Sequence, residues 1–137
     1  MRLTKAVEYG IRALLYLVQQ PPDKACLISE ISRAQGIPEK FLAKIMQSLA
    51  REGIVKSYRG VKGGFSLARA PEDVTLKDAV ECLDGPLVLF ECLSATNQCK
   101  RSRACNVRTV WMEAQEKLLE TFEKATLKTL SEKRRIA

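Results

Sequence analysis

The 137-residue sequence contains no histidine. With the commonest general base missing and no nucleophile–base pair in the chain, a hydrolase is not expected. No apolar run approaches the length of a membrane span, and there is no internal repeat. Nor is the composition that of a disordered or collagen-like chain: 46% of the residues are hydrophobic and 28% charged, enough to bury a core. The opening stretch MRLTKAVEYGIRALLYLV carries Glu8 and Arg12 among its apolar residues, and no small-residue cleavage site follows. It is expected to be a core helix rather than a signal peptide, and the protein to be cytoplasmic with no membrane partner.

What is present is positive charge, unevenly spread. The net charge is +7. Residues 33–69 hold eight lysines and arginines against Glu39 and Glu52, a local charge of +6, whereas residues 70–85 hold Lys77 against five acidic residues, a local charge of −4. A concentrated basic segment points to a polyanion, most simply nucleic acid.

The hydrophobic spacing of Val7, Ile11, Leu14, Leu15 and Val18 predicts a helix over residues 4–20, ended by Pro21-Pro22. A short helix over 27–35 stops at Gly36, and a third over 38–52 starts at Pro38, stops before Gly53 and buries Phe41, Leu42, Ile45, Met46 and Leu49. Two short alternating stretches, IVKSYRG and GFSLARA, read as a hairpin with a glycine-rich tip. Thr75 with Asp78 resembles a capping box opening a helix over 75–83, closed by Gly85-Pro86. From Asn106 to about Leu130 one long helix is expected, with Val107, Val110, Trp111, Ala114, Leu118 and Phe122 on one face.

Helix, turn at Gly36, helix, then hairpin is the order of a winged helix-turn-helix. The third helix leaves Lys40, Ala43, Lys44 and Gln47 outward, where a recognition helix meets base edges and phosphates of double-stranded DNA. At the hairpin tip Arg59 suits the minor groove and Lys62 a phosphate. A C-terminal helix of about 25 residues would run roughly 37 Å, further than a compact winged unit covers. Its apolar face is therefore expected to pair with a second copy, giving a homodimer and a near-palindromic DNA site, or to fold back in part on the first helix. The expected class is mainly α with a small β-hairpin wing. Residues 1–85 form the winged helix-turn-helix, 86–105 a cysteine loop, and 106–137 a long dimerisation helix with a basic tail.

The cysteine loop reads CLSATNQCKRSRAC. Cys92, Cys99 and Cys105 are separated by six and then five residues, with Lys100, Arg101 and Arg103 in the second gap. Five cysteines in a reducing compartment are expected to be thiols or ligands, not a disulfide frame. Gaps this wide do not fit the C-x₂₋₄-C pairing of structural zinc and suit the larger object of an iron–sulfur cluster, whose negative charge the basic side chains and the start of the following helix would offset. Redox-labile thiols in a loop are the plainer alternative.

The opening MRLTKAVEYGIRALLYL, the segment ISEISRAQGIPEKFLAKIMQSLAREGIVKS, the wing YRGVKGGFSLAR, the three cysteines and the run WMEAQE together resemble the Rrf2 (Rrf-two) family of bacterial transcription regulators. The likeness is to its iron–sulfur type, which includes IscR, NsrR and RirA, and it spans nearly the whole chain. The resemblance implies a dimeric winged-helix repressor, not an enzyme, whose DNA affinity follows the state of a cluster (4Fe–4S, with 2Fe–2S as the alternative) that senses nitric oxide, iron or redox state. By position, Cys92, Cys99 and Cys105 would be ligands, Lys40, Ala43 and Lys44 would read DNA, and Arg59 matches the wing arginine. Two departures stand out: the first cysteine gap is one residue longer than the commonest pattern, and the histidine that IscR-like members place three residues after the last cysteine is Arg108 here. A guanidinium stays protonated and does not ligate. Glu8 matches the carboxylate that NsrR-like members supply from the other subunit and is the expected fourth ligand, with Arg12 as a charge partner nearby. An ordinary surface role for Glu8, or ligation by Cys26, Cys82, water or a small thiol, are the alternatives. A cluster-free regulator using a thiol switch or a protein partner is the second functional expectation. A small electron-transfer protein is the third, and the basic wing speaks against it.

Overall fold

The computed structural model describes residues 2–61, 63–90, 93 and 105–132. Helix α1 (Lys5–Val18) buries Val7, Gly10, Ala13, Leu14 and Leu17, a stripe at intervals of three and four residues. Helix α2 (Ile28–Gln35) ends on Gly36, whose φ of 65° and ψ of 40° are left-handed, as a glycine stop predicts. Helix α3 (Glu39–Arg51) has Pro38 just outside its first turn and buries Leu42, Ile45, Met46 and Leu49. Phe41, expected in that stripe, is instead 40% exposed. It stands at the edge of the stripe, where its ring meets Tyr9 of α1 edge-on with centroids 5.6 Å apart.

Strands β1 (Val55–Tyr58) and β2 (Gly64–Leu67) pair antiparallel, with Val55 opposite Leu67 and Tyr58 opposite Gly64. The hairpin is tied to the helices through Cys26, whose N–H donates to the Phe65 carbonyl and whose carbonyl accepts from the Phe65 N–H, both at 2.8 Å. Gly64 makes this approach possible. Its φ is 132°, and a Cβ there would stand 2.4 Å from the Cys26 carbonyl oxygen.

Helix α4 (Leu76–Asp84) opens with the expected capping box, Asp78 N–H to Thr75 Oγ1 and Thr75 N–H to Asp78 Oδ2, each at 3.0 Å. The expected helix over 106–130 is two helices, α5 (Arg108–Lys124) and α6 (Leu127–Glu132). The break is tertiary in origin. Ala125 leaves helical geometry at φ −84° and ψ 119°, its carbonyl accepts from Leu76 N–H at 2.7 Å, and Leu127 N–H donates to the Val74 carbonyl at 2.9 Å. These bonds drive Leu127, 0% exposed, into the same core as Leu14, Ile31, Leu42 and Phe65. Thr126 Oγ1 then accepts from Thr129 N–H at 3.1 Å and restarts the helix. The 17 residues of α5 run about 26 Å, and the C-terminal segment shares the core of the winged unit through Leu127. A second cluster of Val7, Val80 and Leu87, with Leu119 and Phe122 against it, seats α5 on α1 and α4. Among the described residues no helix is long and apolar enough to cross a membrane.

Two glycines with positive φ separate backbone strain from collision. Gly36→Ala has open space around its Cβ and is expected to cost about 1 kcal/mol for the left-handed backbone alone. Gly64→Ala must also push the hairpin off Cys26, and is expected to cost more than about 2 kcal/mol. Thermal or urea unfolding of the two variants measures the difference.

Candidate nucleic-acid interface and cysteine loop

Because α3 turns Leu42, Ile45, Met46 and Leu49 inward, its opposite side carries Lys40, Lys44 and Gln47 in solvent, with Ala43 half-buried among them. Arg59 is exposed at the tip of the wing, and Lys62 lies outside the described residues. Wing and helix belong to one surface: an open hollow of about 400 Å³ is bordered by Glu39 at the start of α3, Leu27 and Ser29 at the start of α2, and Tyr58 and Gly60 of the hairpin. The hairpin is braced from behind by the Tyr58 and Ser66 hydroxyls at 3.1 Å and by Lys56 3.7 Å from Asp23.

The exposed turn of α1 that holds Glu8 also touches both α2 and α3. The Glu8 carboxylate is half exposed, 2.9 Å from Lys5 Nζ and 3.9 Å from Arg12 Nη1. Arg12 donates from Nη2 to the Gln35 carbonyl at the end of α2, where a cation favours the negative end of the helix dipole. Its guanidinium also lies 5.7 Å from the centre of the Tyr9 ring, the ring that meets Phe41 of α3. Further along α1 the Tyr16 hydroxyl donates to Glu30 of α2 at 2.6 Å. That bond, then burial, push the phenol up to about 12, and the same bond lowers the Glu30 carboxyl. Neither the Arg12–Gln35 bond nor the Tyr9–Phe41 pair was expected. Both depend on how α1 crosses its neighbours, which no local pattern encodes.

Of the three loop cysteines, Cys92 and Cys99 lie outside the described residues, as do Lys100, Arg101 and Arg103. Cys105 is half-buried beside the start of α5, where its carbonyl accepts from Arg108 N–H at 3.3 Å. At the other end of the loop, Phe90 packs on Trp111 with centroids 5.0 Å apart, and Leu89 N–H donates to Gln115 Oε1 at 2.8 Å. Both entrances are thus fastened to α5. Arg108 Nη1 is 3.1 Å from Met112 Sδ, and its buried Nε has no hydrogen-bond partner among the described residues.

Cys26 and Cys82 stand elsewhere. Cys26 is 0% exposed under the wing, and Cys82 Sγ donates to the Ser48 carbonyl at 3.4 Å between α4 and α3. Burial, followed by the charge of Glu30, raises the Cys26 thiol above its ordinary 9.0, and burial, followed by Glu52, raises Cys82. Both remain protonated thiols near neutral pH, poor ligands and poor nucleophiles. Among the described residues no three His, Cys, Asp or Glu side chains converge as a metal site. The donor set that suits iron is the thiol set of the loop. Cys105 fits it by its accessibility and by its place at the positive end of α5.

Comparison with known proteins agrees with this geometry. The family description Rrf2, iron-dependent transcriptional regulator, matches residues 3–133. The transcriptional regulator NsrR of Halalkalibacterium halodurans is 34% identical over 131 residues, spanning 95% of this chain and 90% of that one. CymR, the global cysteine regulator of B. subtilis, superposes with a TM-score of 0.79 at 21% identity over 96% of each chain. IscR of T. potens superposes with a TM-score of 0.75 at 23% identity, over 99% of this chain and 94% of its own. At those identities the two structures speak for the shared winged-helix fold.

The burial of the thiols orders their reactivity. In metal-free, reduced protein at pH 7.5, iodoacetamide is expected to modify Cys105 before Cys82, and Cys26 only on unfolding. Raising the pH toward 10 should speed the modification of Cys82, whose thiol burial holds protonated at neutral pH. Peptide mass spectrometry of timed samples reads the order.

Proposed function

The chain belongs to the Rrf2 family of transcriptional regulators, and from that premise we propose that it is a dimeric repressor whose grip on DNA is set by an iron–sulfur cluster. Cys92, Cys99 and Cys105 are the thiolate ligands, and Glu8 of the second subunit is the fourth. The observation that carries the DNA-binding part is the exposure of Lys40, Lys44 and Gln47 on α3 and of Arg59 on the wing, two elements whose Glu39 and Gly60 border one open hollow. With α3 in a major groove, Lys44 and Gln47 reach base edges or phosphates, and Arg59 lies over the adjacent minor groove. The protein acts in the cytoplasm, where the thiols stay reduced.

When bound, the cluster supplies a site that nitric oxide, oxidants or iron depletion can dismantle. The protein's own residues turn that into a change of shape. The loop is fastened to α5 at both ends, by Phe90–Trp111 and by Cys105–Arg108. Helix α5 is seated on α1 and α4 through Leu119 and Phe122, so tension in the loop reaches the winged unit. Glu8 gives a second route. Drawing its carboxylate into a ligand role removes a partner of Arg12, the side chain that also holds the end of α2. Dimerisation uses the outer side of α5, where Val107 and Val110 are 47% and 59% exposed and Ala114 and Leu118 continue the stripe.

The reading is tested in three places. Anaerobically purified protein should be coloured and contain iron and sulfide; a colourless protein lacking both removes the cluster and leaves a thiol switch at the accessible Cys105 as the reading to pursue. Lys44→Ala should weaken binding to duplexes selected from a random pool and lower the slope of log affinity against log salt by about 1. Val110→Lys should convert the dimer to monomer in light scattering without lowering the melting temperature of the winged unit.

A further inference from the structure

Val61, at the tip of the wing, is 100% exposed; among the described residues the next most exposed large apolar side chain is Val110, at 59%. The backbone holds it out deliberately. Gly63 N–H donates to the Gly60 carbonyl at 2.9 Å, bringing the two glycines together behind Val61, and Gly60 has a φ of 93°. A Cβ on Gly63 would stand 2.8 Å from the carbonyl oxygens of both Gly60 and Tyr58, so glycine is what lets the turn close this far. The strands behind it are locked to Cys26 by two bonds of 2.8 Å. A branched side chain with one main torsion, mounted on a braced turn, loses little freedom when it is covered.

Its surroundings name what covers it. Arg59 is exposed two residues away, Lys62 follows Val61 in the sequence, and Gly60 and Gly63 stand on either side, a cationic tip that fits an anionic groove better than an apolar protein surface. The hollow shared by Gly60 and Glu39 places the tip beside the start of α3, so α3 in a major groove sets the wing over the neighbouring minor groove. Resting on the DNA-binding reading above, we propose that Val61 is a specificity-determining residue. It packs between the sugar walls of the minor groove beside the Arg59 contact and selects A·T over G·C pairs there. Apolar side chains make such minor-groove contacts. In a G·C pair the guanine N2 amino group occupies the groove floor, where valine would press on it and strip its water without returning a hydrogen bond. At an A·T pair that space is free, and Arg59 can donate to the acceptors that remain.

Duplexes selected from a random pool by the full-length dimer supply the probe, and fluorescence anisotropy at fixed salt the readout. Changing A·T to G·C at the wing step should weaken wild-type binding about 5- to 10-fold, the low end of the cost of a wrong base pair. An inosine·C pair, which lacks the N2 amino group, should restore it. Val61→Ser, which disturbs no packing and should melt with the wild type, should discriminate less than 2-fold at that step while keeping the bases chosen by α3. Undiminished discrimination in Val61→Ser, or no rescue by inosine, overturns the assignment and leaves DNA binding intact. Failure of the wild type to select any duplex in any cluster state overturns the DNA-binding reading itself.

Discussion

The close crossing of α1 over α4 is what allows one helix to serve both the winged unit and the C-terminal segment. Gly10 makes it possible: a Cβ there would stand 2.4 Å from Leu83 Cδ1 and 3.4 Å from Ile45 Cγ2. At the start of α1, Thr4 bonds the end of α4 through Asp84, hydroxyl to carboxylate at 2.5 Å and N–H to carboxylate at 3.2 Å. With the two helices this close, α1 turns Ala13, Leu14 and Leu17 into the core of α2, α3 and the wing, and Val7 into the cluster beneath α5. A displacement of α5 is therefore felt by the same rigid rod that positions α2 and α3, and packed interiors transmit such displacements because they have little void to absorb them.

Polar contacts then sort which parts of that rod are fixed. The part-buried pairing of Tyr16 with Glu30 joins α1 to α2 through a short bond, which raises the phenol and lowers the carboxyl. The turn bearing Glu8 is the more labile end. Its ion pairs are exposed to solvent, and water and salt screen such pairs so that they contribute little to stability. A carboxylate held that weakly can be recruited to another role at small cost, which a buried and satisfied one cannot.

Much of this fold was legible in the residue order because its decisive features are local. The left-handed Gly36, the Thr75–Asp78 capping box and the two-stranded wing each follow from a few neighbouring residues. The break at Ala125 was not legible. No glycine or proline stands between Asn106 and Glu132, and α5 is ended by the hydrogen bonds of Leu76 N–H to the Ala125 carbonyl and of Leu127 N–H to the Val74 carbonyl, and by the demand of Leu127 for a core. The same holds for the outer and inner sides of α5. Apolar spacing put Val110 with Trp111 and Phe122, but only the packing of Phe90, Leu87 and Val80 decides that Trp111 and Phe122 face this chain while Val110 does not. In the candidate site, the outward residues of α3 and the exposed Arg59 were legible for the same periodic reason as the core, whereas the hold of Arg12 on Gln35 required the tertiary crossing.

The missing histidine gains a physical consequence from where Arg108 stands. An imidazole three residues after Cys105 could complete a ligand set inside one chain, next to a helix start already bonded to the Cys105 carbonyl. Arg108 removes that option and adds a permanent positive charge at the end of α5, where thiolate charge would gather. On the proposed reading, the chain then holds three strong ligands and the means to offset their charge, but no strong fourth. A weak carboxylate from a second subunit fills the gap only while the two subunits stay in register. Ligand completion, the seating of α5 and the freedom of Arg12 become one equilibrium, so a signal that attacks the cluster need only disturb the weakest bond in it to be felt at the wing.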